Sequence, residues 1–154
     1  MNDFSARRLQ LAEMKLSLGL AKGKDFATAI GPHLVTPDEL AAHKVETTAG
    51  HVGTAFDLEM TCAVNGTRVS KGNFADMHWT FAKVIGRISH GVDVYPGDVI
   101  GSGSMETGCC LELNGTKKSE DPLYKPQWLK PGDVEMELTG LGRLVNTVSM
   151  ENAP

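Results

Sequence analysis

Asp3, Arg7 and Gln10 carry the side chains in this sequence whose types and spacing invite chemistry. If a helix starts at this point, residues four and three apart fall on roughly the same face, so a carboxylate, a guanidinium and an amide converge. The same spacing also describes a capping aspartate with a surface ion pair, worth about 0.3–0.5 kcal/mol. Local spacing favours this structural reading and alone names no function.

Other candidate groups read more plainly. Asp57-Leu58-Glu59 and Glu135-Met136-Glu137 put two carboxylates on one face of a strand, because side chains alternate with period two. Each pair opposes an apolar face, so the expectation is a solvated exterior. His78 is expected as a packed or surface residue of a helix, and His90 as a partner for the negative end of that helix. Of three cysteines, Cys109 and Cys110 are adjacent and Cys62 is distant. That pattern matches neither a disulfide framework nor a zinc site.

The elements that must position these groups follow from the punctuation of the chain. Its 154 residues, 41% hydrophobic and 22% charged, suit one domain over residues 1–154 with its own core. Net charge is -4 and the basic residues are scattered, which argues against a nucleic-acid partner. No apolar run reaches membrane-spanning length, and the acidic opening Met1-Asn2-Asp3-Phe4 is not expected to act as a secretory signal. A reducing, cytoplasmic protein is expected. Seventeen glycines and seven prolines point to short elements joined by tight turns.

Asp3 or Ser5 is expected to cap a helix through about Met14, with a loop from Ser17 to Gly23 and strand character over Ala27 to Val35. Thr36-Pro37-Asp38-Glu39 has the form of a capping box opening a short helix to about His43. Alternation from Phe56 to Val64 gives a strand, and Asn65-Gly66 turns it into a hairpin. Asn73 is expected to cap a helix carrying Met77, Phe81, Val84, Ile85 and Ile88, stopped at Gly91. From Val92 onward the reading is strand and turn. Pro96-Gly97-Asp98-Val99 and Pro131-Gly132-Asp133-Val134 share one turn chemistry, and Gly140-Leu141-Gly142 makes a second hairpin. The fold class is mostly β with a few helices, an α+β fold with a rolled or barrel-like sheet.

Several separated segments resemble one family in the same order: Asn2-Asp3-Phe4-Ser5-Ala6-Arg7 with Gln10, Gly23-Lys24-Asp25-Phe26-Ala27-Thr28, Asp76-Met77-His78-Trp79-Thr80, Pro96 to Ser104, Cys110-Leu111-Glu112-Leu113, Trp128 to Val134 and Gly140-Leu141-Gly142. The chain is similar to the carboxy-terminal part of fumarylacetoacetate hydrolase-family enzymes across nearly its whole length. The resemblance implies a mixed β-sandwich roll and metal-dependent cleavage of a carbon-carbon bond in a 1,3-diketo acid of the fumarylacetoacetate or acylpyruvate type, as in aromatic amino acid catabolism. Related members isomerise, hydrate or decarboxylate such acids. A catalytically inactive folded module is the alternative from a different class.

By the same resemblance Asp3 ligates Mg2+, or another hard cation such as Ca2+ or Mn2+, with Lys24 and Thr28 beside it. Arg7, Gln10 and Lys24 stabilise the carbanion, Gln10 and Ser104 contact substrate, and Glu112 orients a catalytic histidine. Cys110 to Leu113 is implied to be a strand. Ser104 replaces a usual threonine, Arg8 an often acidic residue, and Met14 an aromatic of the fumarylacetoacetate-specific members. The family's Glu-x-Glu pair and histidine precede the Asn-Asp motif, so the chain is expected to be a fragment. A homodimer with a small keto-acid substrate is the implied assembly.

Overall fold

The computed structural model describes residues 1–15, 17 and 19–151. They form an α+β fold of two compact units, Met1–Leu34 and Val35–Pro154. Residue 18 of the expected loop lies outside the described residues.

In the first unit, strand β1 (Asn2–Asp3) pairs antiparallel with β2 (Thr28–Ala29), and helix α1 (Arg7–Met14) lies between them in sequence. The helix is where the sequence places it, but its cap differs. Ala6 occupies the N-cap without a side-chain hydrogen bond, because Asp3 is committed to β1 and the Ser5 hydroxyl turns back to the Asp3 carbonyl at 3.5 Å. The strand expected over Ala27 to Val35 is confined to two residues, the length that β1 can pair.

The second unit is built on a four-stranded antiparallel sheet: β5 (Glu59–Val64), β6 (Thr67–Asn73), β7 (Gly132–Leu138) and β8 (Gly142–Val148), in the order β6-β5-β7-β8. A smaller pair, β3 (Lys44–Val45) with β4 (Ala55–Phe56), precedes it. No sheet closes on itself among the described residues. Asn65 (φ 50°) and Gly66 (φ 76°) make the expected tight turn between β5 and β6, the two positive φ values that twist-matched hairpins require. The register shifts between Cys62 and Ala63, a bulge on β6 at Val69.

The second Pro-Gly-Asp segment is held by that same turn. The Asn65 backbone amide donates to the Asp133 carbonyl at 2.9 Å, its Oδ1 accepts from Asp133 N at 2.9 Å, and its Nδ2 donates to the Pro131 carbonyl. A Cβ on Gly132 would stand 1.8 Å from Asn65 Oδ1, so only glycine allows the asparagine to reach. The first such segment serves otherwise: Tyr95 N donates to Asp98 Oδ2 at 2.8 Å in a local turn.

Among the described residues, Leu58, Leu40 and Val134 are the buried large apolar ones. Phe74 links Phe56 and Phe81, with ring centroids 6.3 and 5.9 Å away. The helix expected from Asn73 to Gly91 is divided. Asn73 caps only a 3-10 turn, Phe74–Asp76, whereas Thr80 caps α2 (Phe81–Ile88). Thr80 is buried and donates to the Val52 carbonyl while accepting from Lys83 N, so this anchor fixes where the helix begins. His78 therefore precedes the helix instead of lying on it, with its ring against His51 and Trp79.

The implied strand at Cys110 to Leu113 is also corrected, for these residues open helix α3 (Cys110–Glu120). Glu112 sits in its first turn and Lys117 and Lys118 in its last, each charge favourable to the helix macrodipole. Buried Asn114 anchors the far side, accepting from Gln127 N at 2.8 Å and donating to Gln127 O at 2.7 Å.

Candidate active site

The first unit carries five of the expected site residues, with Asp3, Lys24 and Thr28 in one group and Arg7 and Gln10 in another. Asp3 faces Thr28 directly in the β1–β2 register, so the threonine stands beside the carboxylate. The Lys24 ammonium donates to Asp3 Oδ2 at 2.6 Å and to Ser5 Oγ at 2.8 Å. Two cationic and anionic groups distant in sequence are thus joined through a strand, a helix and a turn. The lysine side chain is 29% exposed and the aspartate 46%, leaving the pair open to an incoming molecule.

Arg7 belongs to α1 and donates from Nη1 to Gln10 Oε1 at 2.6 Å. This bond turns the Gln10 oxygen toward the guanidinium and its amide nitrogen toward Met14 Sδ, 3.9 Å away. Asp3 lies outside the helix, in β1, and its carboxylate pairs with Lys24. Lys24 takes the place in that ion pair which the spacing had assigned to the arginine.

Lys24 is delivered by a turn packed on α1. Gly23 is buried, and a Cβ there would come within 2.7 Å of Gln10 N. Glu13 accepts from the backbone amides of Ala21 and Gly23. Ser5 and Glu13 are the participants that residue spacing did not assign to the site. The signal for Glu13 is a carboxylate in the last helical turn, against the macrodipole.

Ser104 and Glu112 belong to the second unit. Ser104 is exposed in a segment without regular structure. Glu112 Oε1 accepts from Thr107 N at 3.0 Å, closing the entry to α3, and the Thr107 hydroxyl meets Ser70 Oγ on β6 at 3.1 Å. Of the carboxylate pairs expected on the exterior, exposed Glu59 bonds Lys71 at 2.7 Å, whereas half-buried Glu135 bonds exposed Arg143.

Asp3 supplies an oxygen ligand of the kind a hard divalent cation takes. Among the described residues no group of three or more histidine, cysteine, aspartate or glutamate side chains gathers around a common point. These residues therefore provide one ligand and do not fit a full coordination shell. Nor is any described helix long and apolar enough to cross a membrane.

Residues 1–149 match the family model described as fumarylacetoacetate (FAA) hydrolase, C-terminal. The chain is 35% identical to a 2,4-didehydro-3-deoxy-L-rhamnonate hydrolase of Sphingomonas sp. (strain SKA58), over 97% of this chain and 45% of that protein. It is 30% identical to a fumarylacetoacetase of Oryza sativa subsp. japonica, over 86% of this chain and 37% of the relative. Identity is 32% to the human mitochondrial oxaloacetate tautomerase FAHD2A, over 96% and 40% respectively. The chain thus spans less than half the length of these curated relatives. No solved structure matches it. With the family model covering all but the last residues, the chain belongs to the fumarylacetoacetate hydrolase family, as its C-terminal part.

Proposed function

We propose that Asp3, Arg7, Gln10 and Lys24 serve a catalytic centre that cleaves a carbon-carbon bond of a small 1,3-diketo acid by hydrolysis. The substrates named for the matched hydrolases share an acid bearing ketones, and breaking the bond between them leaves an enolate that needs neutralising. The observation that carries the reading is the Lys24 ammonium fixed between Asp3 and Ser5. Two of its three N–H groups are directed to those oxygens, and the third is left to donate to a substrate oxygen. Charge placed in advance of the reaction stabilises the transition state without reorganisation. The Arg7 guanidinium, steadied by Gln10, suits the substrate carboxylate because its planar fork matches two oxygens.

Mg2+ is the cation we propose; Asp3 would supply one of its ligands with Thr28 alongside, and the cation would add Lewis-acid polarisation of a ketone oxygen. Ser104 is proposed as a substrate contact and Glu112 as the support of a general base, in a homodimeric, cytoplasmic enzyme. Tautomerisation of a keto acid is the second reading, supported by the tautomerase relatives. It draws on the same enolate stabilisation and omits the attack of water.

Purified protein with Mg2+ is to be assayed on acylpyruvates, fumarylacetoacetate and oxaloacetate. Loss of the diketone absorbance with release of two acids supports hydrolysis. Enol-keto exchange of oxaloacetate without cleavage selects the tautomerase reading, and turnover of none of these acids overturns both.

A further inference from the structure

Glu13 occupies a position that the helix itself disfavours. It stands in the last turn of α1, where no basic residue offsets it and the macrodipole is negative. Its contacts lie across the following loop. Glu13 Oε2 accepts from Ala21 N at 3.1 Å and from Gly23 N at 3.2 Å, with Oε1 at 3.3 Å from the latter. The opposite side of Gly23 is tied as well, since its carbonyl accepts from Ala6 N at 2.9 Å immediately before the helix. Lys24 N closes the turn onto the Ala21 carbonyl at 2.9 Å.

These bonds fix a backbone whose next residue is Lys24. Gly23 is held at both ends of α1, by Ala6 at its start and Glu13 at its finish, and lies flush against Gln10. Charge-assisted acceptance of backbone amides by a carboxylate is among the stronger hydrogen bonds available to such a turn. Without it, both amides turn to water and the Ala6 contact becomes a pivot. The ammonium, at the end of four methylenes, then loses its registration with Asp3 and Ser5.

We infer that Glu13 is a positioning residue: it clamps the 21–23 turn on α1 and so sets the Lys24 ammonium against Asp3. The catalytic meaning of this clamp rests on the function proposed above. Its geometry is testable without any substrate.

The test is competitive labelling of lysine amines with acetic anhydride, read by peptide mass spectrometry, with Lys71 of the second unit as the internal reference. In Glu13→Ala, labelling of Lys24 relative to Lys71 rises about fivefold, the ratio expected for loss of one such hydrogen bond. Lys15, exposed just past α1 and outside the clamped turn, gains little, whereas general loosening of the unit would raise both. Glu13→Gln keeps a carbonyl oxygen able to accept from both amides and stays within about twofold of wild type. Should circular dichroism show Glu13→Ala unfolded, Glu13→Asp replaces it, with a rise of at least about twofold because the shorter side chain reaches one amide at best.

An unchanged Lys24 to Lys71 ratio in the folded variant overturns the clamp, as does a parallel rise in Lys15. Absence of turnover in wild type would remove the proposed function while leaving the labelling result intact. Where wild type does turn over, kcat must fall in Glu13→Ala and recover in Glu13→Gln. Equal kcat in all three denies the clamp its catalytic role.

Discussion

Replacing Asp3 by asparagine separates a structural ion pair from a catalytic one. The carboxylate meets Lys24 at 2.6 Å, with the two side chains 46% and 29% exposed. A pair this open contributes about 0.2–1 kcal/mol to stability. In a chain of this size that corresponds to a fall in Tm of no more than about 4 °C. The chemical consequence is much larger, since removing a pre-aimed electrostatic group from a reacting centre lowers kcat by about 10²–10³, or 2.7–4 kcal/mol. Asp25→Asn is the matched control, because it breaks the neighbouring pair with Lys22, 3.0 Å long and 54–74% exposed. Thermal melts and steady-state kinetics of both variants on the acid turned over by wild type give the comparison. The expected pattern is two similar, small shifts in Tm and a loss of kcat/KM confined to Asp3→Asn. Equal kcat/KM in the two variants would refute the assignment of Asp3.

Three further outcomes follow from the second unit. Gly132→Ala, which drives a Cβ into Asn65 Oδ1 at φ +133°, should destabilise by about 2–4 kcal/mol through strain and a lost hydrogen bond, measured by urea unfolding. Asn114→Ala leaves Gln127 N and O without their buried partner and should cost about 2–3 kcal/mol; a change below the error of the melt would count against the anchor. Burial, helped by the nearby Cys110, raises the Cys62 thiol above its ordinary value of 9.0. Its contribution to stability is therefore full below that value and disappears as pH rises through the folded one. Accordingly, iodoacetamide at pH 8.5 should modify Cys62 more slowly in the folded than in the urea-unfolded chain, and equal rates would contradict the shift.

The parts of the fold legible in sequence are those decided within a few residues. Asn65-Gly66 and Gly140-Leu141-Gly142 announce their hairpins because positive φ is a local demand. The region from Asn73 to Gly91 was harder, since two residues able to cap stand seven apart on a continuous helical pattern. The contact of Thr80 with Val52 decided between them, and that contact is tertiary. At Cys110 to Leu113 the alternating apolar residues suit a strand, while the charge order of the following residues suits the helix that forms. The candidate site shows the same division. Arg7 and Gln10 meet through helical spacing, but Lys24 reaches Asp3 from 21 residues away, and only the family motif pointed to it. Nothing in residue type besides an adverse position in the helix marked Glu13.

The grip of Asn65 on Asp133 has a consequence for how this family can vary. It ties the hairpin end of the sheet to the very residues at which the chain returns from its excursion over 74–131. A strand so pinned cannot slip by one residue, which would turn every side chain of β7 to the opposite face. Lengthening the excursion is cheap by comparison, since each doubling of a flexible connection adds only about 0.6 kcal/mol. Ser104 and Glu112 lie within it. Insertions and deletions there can change what surrounds those two proposed site residues while strand pairing stays in register.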